Sequence, residues 1–144
     1  MTIAQDQNAT PTLTSAVNLA IEGINEPVVL RYFQTMNAGE YEATAALFAP
    51  TGAMHPPFEQ PIEGQEAIAG YLQAEAKGMQ LLPTTGVAET LEDDQIQIQV
   101  SGKVQTPLFS VNVAWIFILN SEQEIVYVKV KLLASPQELL KLRR

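Results

Sequence analysis

The side chains able to do acid–base chemistry are one histidine, His55, and sixteen acids. His55 precedes Pro56 and Pro57, with no evident carboxylate in the sequence to orient its imidazole as a general base. A metal site needs three or four converging ligands, which one histidine beside two prolines does not supply. The acids fall at helix starts, exposed helix faces and turns such as Glu92-Asp93-Asp94, where solvation accounts for them. None interrupts an apolar strand, where burial would raise a carboxyl pKa. The chain has no cysteine, which removes thiolate catalysis, disulfides and thiolate metal sites. Phosphate-binding glycine loops, HExxH, EF-hand loops and nucleophile elbows are all absent. No catalytic residue is expected.

Two other residues carry a different kind of chemistry. Tyr32 and Trp115, the only tryptophan, each join a large apolar body to a single polar hydrogen, a phenol O–H and an indole N–H. Pointed into one cavity, both could donate to a single carbonyl oxygen at its deep end, and an unpaired donor there would favour a ligand with a keto group. Equally, Trp115 could be plain core and Tyr32 a helix–sheet contact. Met79, Leu81, Thr106, Pro107, Phe109 and Phe117 would form an apolar sleeve around such a ligand, and would suit an ordinary core as well.

The elements that position these residues follow from periodicity. Residues 111–119, VNVAWIFIL, place Val111, Val113, Trp115, Phe117 and Leu119 at every second position, the period of a strand facing a core. The intervening positions are also mostly apolar, which predicts a strand inside a sheet and covered on both faces. A first helix is expected from Asn25 as N-cap with Pro27 in its first turn, carrying Val28, Tyr32 and Met36 on one face. A second helix is expected over 40–48, ended by Pro50-Thr51-Gly52, and a third over 65–77, ended by Gly78. Strands follow: 80–82, a start at 86–89, an alternating run from Ile96, a stretch over 104–109 broken by Pro107, the central strand, and a return over 125–133. Ser135-Pro136 reads as the cap of a short last helix. Helices first and strands afterwards give an α+β domain: a cone, with a strongly curved, mostly antiparallel sheet packed against the N-terminal helices and a short C-terminal helix. Residues 1–20 are expected to be a flexible arm and 21–144 the folded domain.

Composition bounds the role. At 144 residues, with 47% hydrophobic and 17% charged residues, the chain is long enough for one domain with a real core. No apolar run approaches the roughly 18 residues of a membrane span, and residues 1–20 lack a secretory signal pattern; a cytoplasmic location is expected. A net charge of −8 argues against nucleic acid. Five of the eight basic residues, Lys129, Lys131, Lys141, Arg143 and Arg144, lie in the last sixteen positions, which reads as a solvated tail or a surface for an acidic partner.

The segments EPVVLRYFQTMNAGEYEATAALFAPTGAMHPPFEQPIEG, SGKVQTPLF, NVAWIFILN and KLLASPQELL resemble the C-terminal domain of the orange carotenoid protein of cyanobacteria, and more closely its free-standing homologues, within the nuclear-transport-factor-2-like superfamily. The resemblance covers about residues 24–143. It implies a keto-carotenoid ligand, canthaxanthin or echinenone, with Tyr32 and Trp115 bonded to the ring carbonyl. It also implies a sleeve of Met79, Leu81, Thr106, Pro107, Phe109, Phe117 and Val130. By the same resemblance the chain is a homodimer sharing one carotenoid, exchanging it with helical carotenoid-binding domain proteins or membranes, with singlet-oxygen quenching and photoprotection as consequences. Three features depart from the pattern. No helical N-terminal domain is expected ahead of this one, so Glu75 has lost the partner it salt-bridges there. Ala76 stands where relatives often have a cysteine, and Lys131 where the full protein has an aspartate. The competing readings are an isomerase- or dehydratase-type enzyme, which would need an Asp, Glu or His in the cavity and for which His55 is the hopeful residue, and a ligand-free interaction dimer.

Overall fold

The computed structural model describes residues 20–133. Helix α1 (Pro27–Ala38) begins with Pro27 in its first turn, where the missing N–H costs no helical hydrogen bond. Its N-cap is Glu26 rather than Asn25. Gly39 ends it in the left-handed region, φ 75°, which a residue with a Cβ adopts only at a cost. The buried face of α1 is Val28, Val29, Tyr32, Phe33, Thr35 and Met36.

Helix α2 (Tyr41–Ala45) is shorter than the expected 40–48, because Phe48 opens strand β1 (Phe48–His55). Pro50 and Gly52 disguise that strand in the sequence, and the structure explains them. The pairing register of β1 shifts between Phe48 and Ala53, so the helix-breaking residues form an irregularity within a strand. Strand β2 (Ile62–Glu63), helix α3 (Gln65–Glu75) and strand β3 (Gln80–Thr90) follow. Strand β3 is continuous through the two short pieces predicted there, with its register shift between Pro83 and Thr85. Strand β4 (Ile96–Gln105) then leads by a tight turn into β5 (Ser110–Leu119), and β6 (Ile125–Leu133) returns beside it. The stretch expected as a strand over 104–109 is instead the end of β4 and that turn, in which the Thr106 N–H donates to the Phe109 carbonyl at 2.8 Å.

The six strands form one sheet in the order β2-β1-β6-β5-β4-β3. The fold is α+β, but the expected cone is corrected to an open, mixed sheet. Its two edges are β2 and β3, and β1 runs parallel to β6 while the other pairings are antiparallel. The physical reason lies in β2, which has two residues and pairs with β1 alone, too short an edge to close the sheet against the eleven residues of β3. The expected C-terminal helix, the arm of residues 1–19 and residues 134–144 lie outside the described residues.

Strand β5 is interior, paired with β4 and β6 along its length. On its helix-facing side Val113, Trp115, Phe117 and Leu119 are buried, whereas on the other side Ala114 is buried, Ile116 and Ile118 are half-buried and Asn112 is exposed. Cover on both faces was expected; among the described residues the second face carries no helix. On the inner side Phe33 meets Trp115 edge-on at 4.8 Å and Phe117 at 5.9 Å, and Tyr32 meets Phe117 edge-on at 5.0 Å. Each such contact adds about 0.5–1.5 kcal/mol beyond area burial. Phe33 is fully buried at the centre of this group. Phe33→Ala is expected to cost about 3–5 kcal/mol, read as a lowered denaturant midpoint with an unchanged slope.

Candidate binding cavity

A cavity of about 300 Å³ lies between α1, α3 and the inner face of the sheet. It is built from strand alternation on one side and helix periodicity on the other. Trp115 pairs across the sheet with Val100 on β4 and Val130 on β6, so Trp115 and Val130 share the inner face, and Val111 and Val113 continue it toward the mouth. From the opposite side α1 contributes Tyr32 and Met36, one helical turn apart, and α3 contributes Tyr71, Leu72 and Glu75.

Of the residues picked out by sequence, Tyr32, Trp115, Met79, Leu81, Thr106, Phe109 and Val130 line this cavity. Two do not. Phe117 is fully buried and packs edge-on against the Tyr32 ring, in the core. Pro107 lies in the β4–β5 turn with its ring against Gly78, at the distance a Cβ there would find it, 3.5 Å. Several lining residues went unpicked. Val111 and Val113 carried a signal, since they alternate with Trp115, and so did Met36, one turn from Tyr32. Met54 was hidden with the rest of β1. Pro56, Pro57 and Phe58 lie in a turn where no periodicity exists to reveal a facing.

Tyr32 and Trp115 are both buried and both line the cavity. Among the described residues neither the Tyr32 hydroxyl nor the Trp115 indole N–H has a hydrogen-bond partner. Burial pushes the Tyr32 phenol well above its ordinary value of 10.0, so it holds its proton and remains a donor. Buried polar groups are nearly always paired, and two unpaired donors against one apolar space fit a ligand that brings an acceptor, such as a carbonyl oxygen. The remaining lining is overwhelmingly aliphatic and aromatic.

The mouth is unusual in another way. Phe58 is 93% exposed and holds φ 65°, a left-handed conformation that costs a bulky residue about 1 kcal/mol or more. Phe109, which also lines the cavity, is exposed as well. Tyr71 donates to Glu59 Oε2 at 3.3 Å. Partial burial, the Glu59 charge and that bond, and then Glu75, push its phenol up to about 12.

The acid–base candidate is elsewhere. His55 shares a 2.7 Å hydrogen bond between Nδ1 and the Tyr127 hydroxyl and does not line the cavity. Met54, its neighbour in the strand, points into the cavity, and strand alternation sends His55 to the other face. Glu75, the lining carboxylate, is exposed. Among the described residues no three potential metal ligands cluster, and no helix is long and apolar enough to cross a membrane.

Residues 24–131 match the nuclear transport factor 2 (NTF2) domain. The chain is 42% identical over 134 residues to the orange carotenoid-binding protein of Synechocystis sp., and 41% identical over the same length to that of Limnospira maxima. Each match takes in 90% of this chain and 42% of the relative, so the chain spans well under half the length of the proteins it resembles. The solved structure of the orange carotenoid protein of Anabaena (Nostoc) sp. PCC 7120 binding canthaxanthin superposes with a TM-score of 0.81 at 42% identity, covering 91% of this chain and 43% of that one.

Removing the Tyr32 hydroxyl should therefore separate binding from stability. In the ligand-free protein Tyr32→Phe is expected to leave stability unchanged or to raise it by about 1 kcal/mol, because an unpaired buried donor is lost. The raised phenol pKa adds a pH dependence. The unfolded chain gives up this proton first, so the stability linked to Tyr32 is full below pH 10 and falls as pH rises above it. Urea midpoints of the wild type are expected to fall more steeply above pH 10 than those of Tyr32→Phe. Tyr71 contributes a smaller slope of the same sign, weakened by its contact with solvent.

Proposed function

This chain belongs to the nuclear transport factor 2 domain family and is a homologue of the C-terminal domain of the orange carotenoid protein, and we propose that it is a keto-carotenoid-binding carrier. The observation that carries this reading is the pair of donors, Tyr32 O–H and Trp115 N–H, that have no partner among the described residues and line an otherwise apolar cavity. Both donate to one keto oxygen of the terminal ring. Canthaxanthin and echinenone have such a ring, and a hydrocarbon carotenoid lacks the acceptor. Met79, Leu81, Thr106, Phe109 and Val130 enclose the ring and the first part of the polyene. Phe117 acts from behind by holding the Tyr32 ring in place. When bound, the pigment supplies visible absorption and singlet-oxygen quenching.

The chain's own residues bind, orient and exclude water. No proton moves in this role: His55 lies on the opposite face of β1 from Met54, and the carboxylate in the lining, Glu75, is solvent-exposed, which leaves an isomerase or dehydratase no buried base in the cavity. A volume of about 300 Å³ accepts only one end of a long carotenoid. A second copy covers the other end of a symmetric pigment, giving a homodimer with the two mouths facing. The exposed Phe58 and Phe109 at each mouth then become buried, which accounts for apolar side chains held in solvent at the mouth of a single copy. Delivery to helical carotenoid-binding domain proteins, and uptake from membranes, follow from the same open mouth.

The protein purified from cells making canthaxanthin is expected to carry a red-shifted visible band that co-elutes with a dimer in size-exclusion chromatography. Tyr32→Phe or Trp115→Phe should weaken retention about tenfold each, one charge-neutral hydrogen bond apiece, and shift the band. A colourless preparation, or a band indifferent to both substitutions, overturns the reading.

A further inference from the structure

The connection between α3 and β3, residues 76–79, forms one wall of the cavity through Ala76 and Met79, and the wall continues into Leu81 at the start of β3. The connection is an irregular segment, turned by Gly78 at φ 84°, and such segments are ordinarily the mobile parts of a wall. Here two side chains from the α1–α2 corner hold it. Asn37, near the end of α1, makes two bonds to a single residue of β3: its Nδ2 donates to the Leu81 carbonyl at 2.8 Å, and its Oδ1 accepts from the Leu81 N–H at 2.7 Å. This is the hydrogen-bond pair that a neighbouring strand would make, and it caps the edge of the sheet where β3 begins. Tyr41, on α2, donates its hydroxyl to the Ala76 carbonyl at 3.1 Å, in a buried bond.

Both clamps are anchored next to the ligand contacts. Asn37 directly follows Met36 and lies five positions after Tyr32, both cavity-lining. Leu81 itself is buried and lines the same space. Asn37 therefore fixes the distance across the cavity between α1 and β3 while touching neither the deep donors nor the mouth.

We infer that Asn37, seconded by Tyr41, is a positioning residue that controls how fast a ligand leaves this cavity, by locking the 76–81 wall to the helix that carries Tyr32. The inference rests on the carrier reading for its ligand but not for its mechanics. The deep donor pair sets which ligand is held and the wall clamp sets how long, so the two should be separable by substitution. An Asn37→Ala chain keeps the full set of lining side chains and both donors, and loses only the lock.

The test has two arms. On the ligand-free full-length chain, amide hydrogen exchange of Asn37→Ala is expected to rise at least tenfold at Met79 and Leu81, with the amides of β5 unchanged. On chain loaded with canthaxanthin, transfer to excess phosphatidylcholine vesicles is expected to be about tenfold faster than wild type, with the position of the visible band unmoved. Tyr41→Phe, which removes one hydroxyl and little volume, should change both readouts in the same direction by less, and serves if Asn37→Ala does not fold. Exchange raised equally in β5 would mean general destabilisation, and unchanged exchange at Leu81 would mean no clamp; either overturns the inference. Failure of both chains to take up pigment counts against the carrier reading alone, since the first arm decides the clamp without a ligand.

Discussion

Everything in this structure depends on one helix being pinned across one strand. Tyr32 and Phe33 on α1 engage Trp115 and Phe117 on β5 through edge-on aromatic contacts between 4.8 and 5.9 Å. These rings are among the largest fully buried side chains in the described residues. Aromatic rings have few rotatable bonds and a directional charge distribution, so interlocked pairs fix an angle as well as a distance. The cavity is the space this cluster leaves beside itself, between the two rings that carry a polar hydrogen and the rest of the sheet.

The division of labour within the quartet is informative. Phe33 and Phe117 carry no polar atom and lie in the core, whereas Tyr32 and Trp115 line the cavity. Aromatic bulk is common to all four, and the hydrogen-bonding pair alone faces the open space. A core built only for stability would gain from phenylalanine at position 32. A phenol buried there without a partner among the described residues is a cost in the ligand-free state, and such costs mark places where binding rather than folding has set the residue.

The sequence made the central strand, the helices and most of the cavity lining legible because alternation and helical spacing report which way a side chain faces. Residues 111–119 and the Tyr32–Met36 face were readable for that reason. Strand β1 was not. Its bulge places Pro50 and Gly52 where a regular strand would have alternating side chains, and its pairing partner lies far along the chain. The shape of the sheet was misjudged for a related reason. Periodicity says which face of a strand is buried and nothing about whether two distant edges meet, so an open mixed sheet and a closed cone look alike at the level of pattern. Phe117 shows the same limit at one residue: it shares a face with Trp115 but packs behind Tyr32 instead of lining the cavity. The residue types themselves raised Tyr32 with Trp115, and Pro107 and Phe117 with the sleeve, as one of two readings; the family resemblance favoured the cavity over the plain core and added Val130.

The parallel pairing of β1 with β6 has a consequence for when the cavity comes into being. Phe48 sits opposite Ile125, and Met54 opposite Val128, so the sheet joins an early segment of the chain to a late one. Strand β6 also brings Val130 and Leu132 to the lining. Contacts of such long sequence separation form slowly, because the loop between them must be closed first. During synthesis β1 and β2 emerge with only each other to pair with, and the helices have only part of a wall to cover. The cavity is therefore the last part of the domain to take shape: its lining is complete only once β6 has joined β1 and β5 in the sheet.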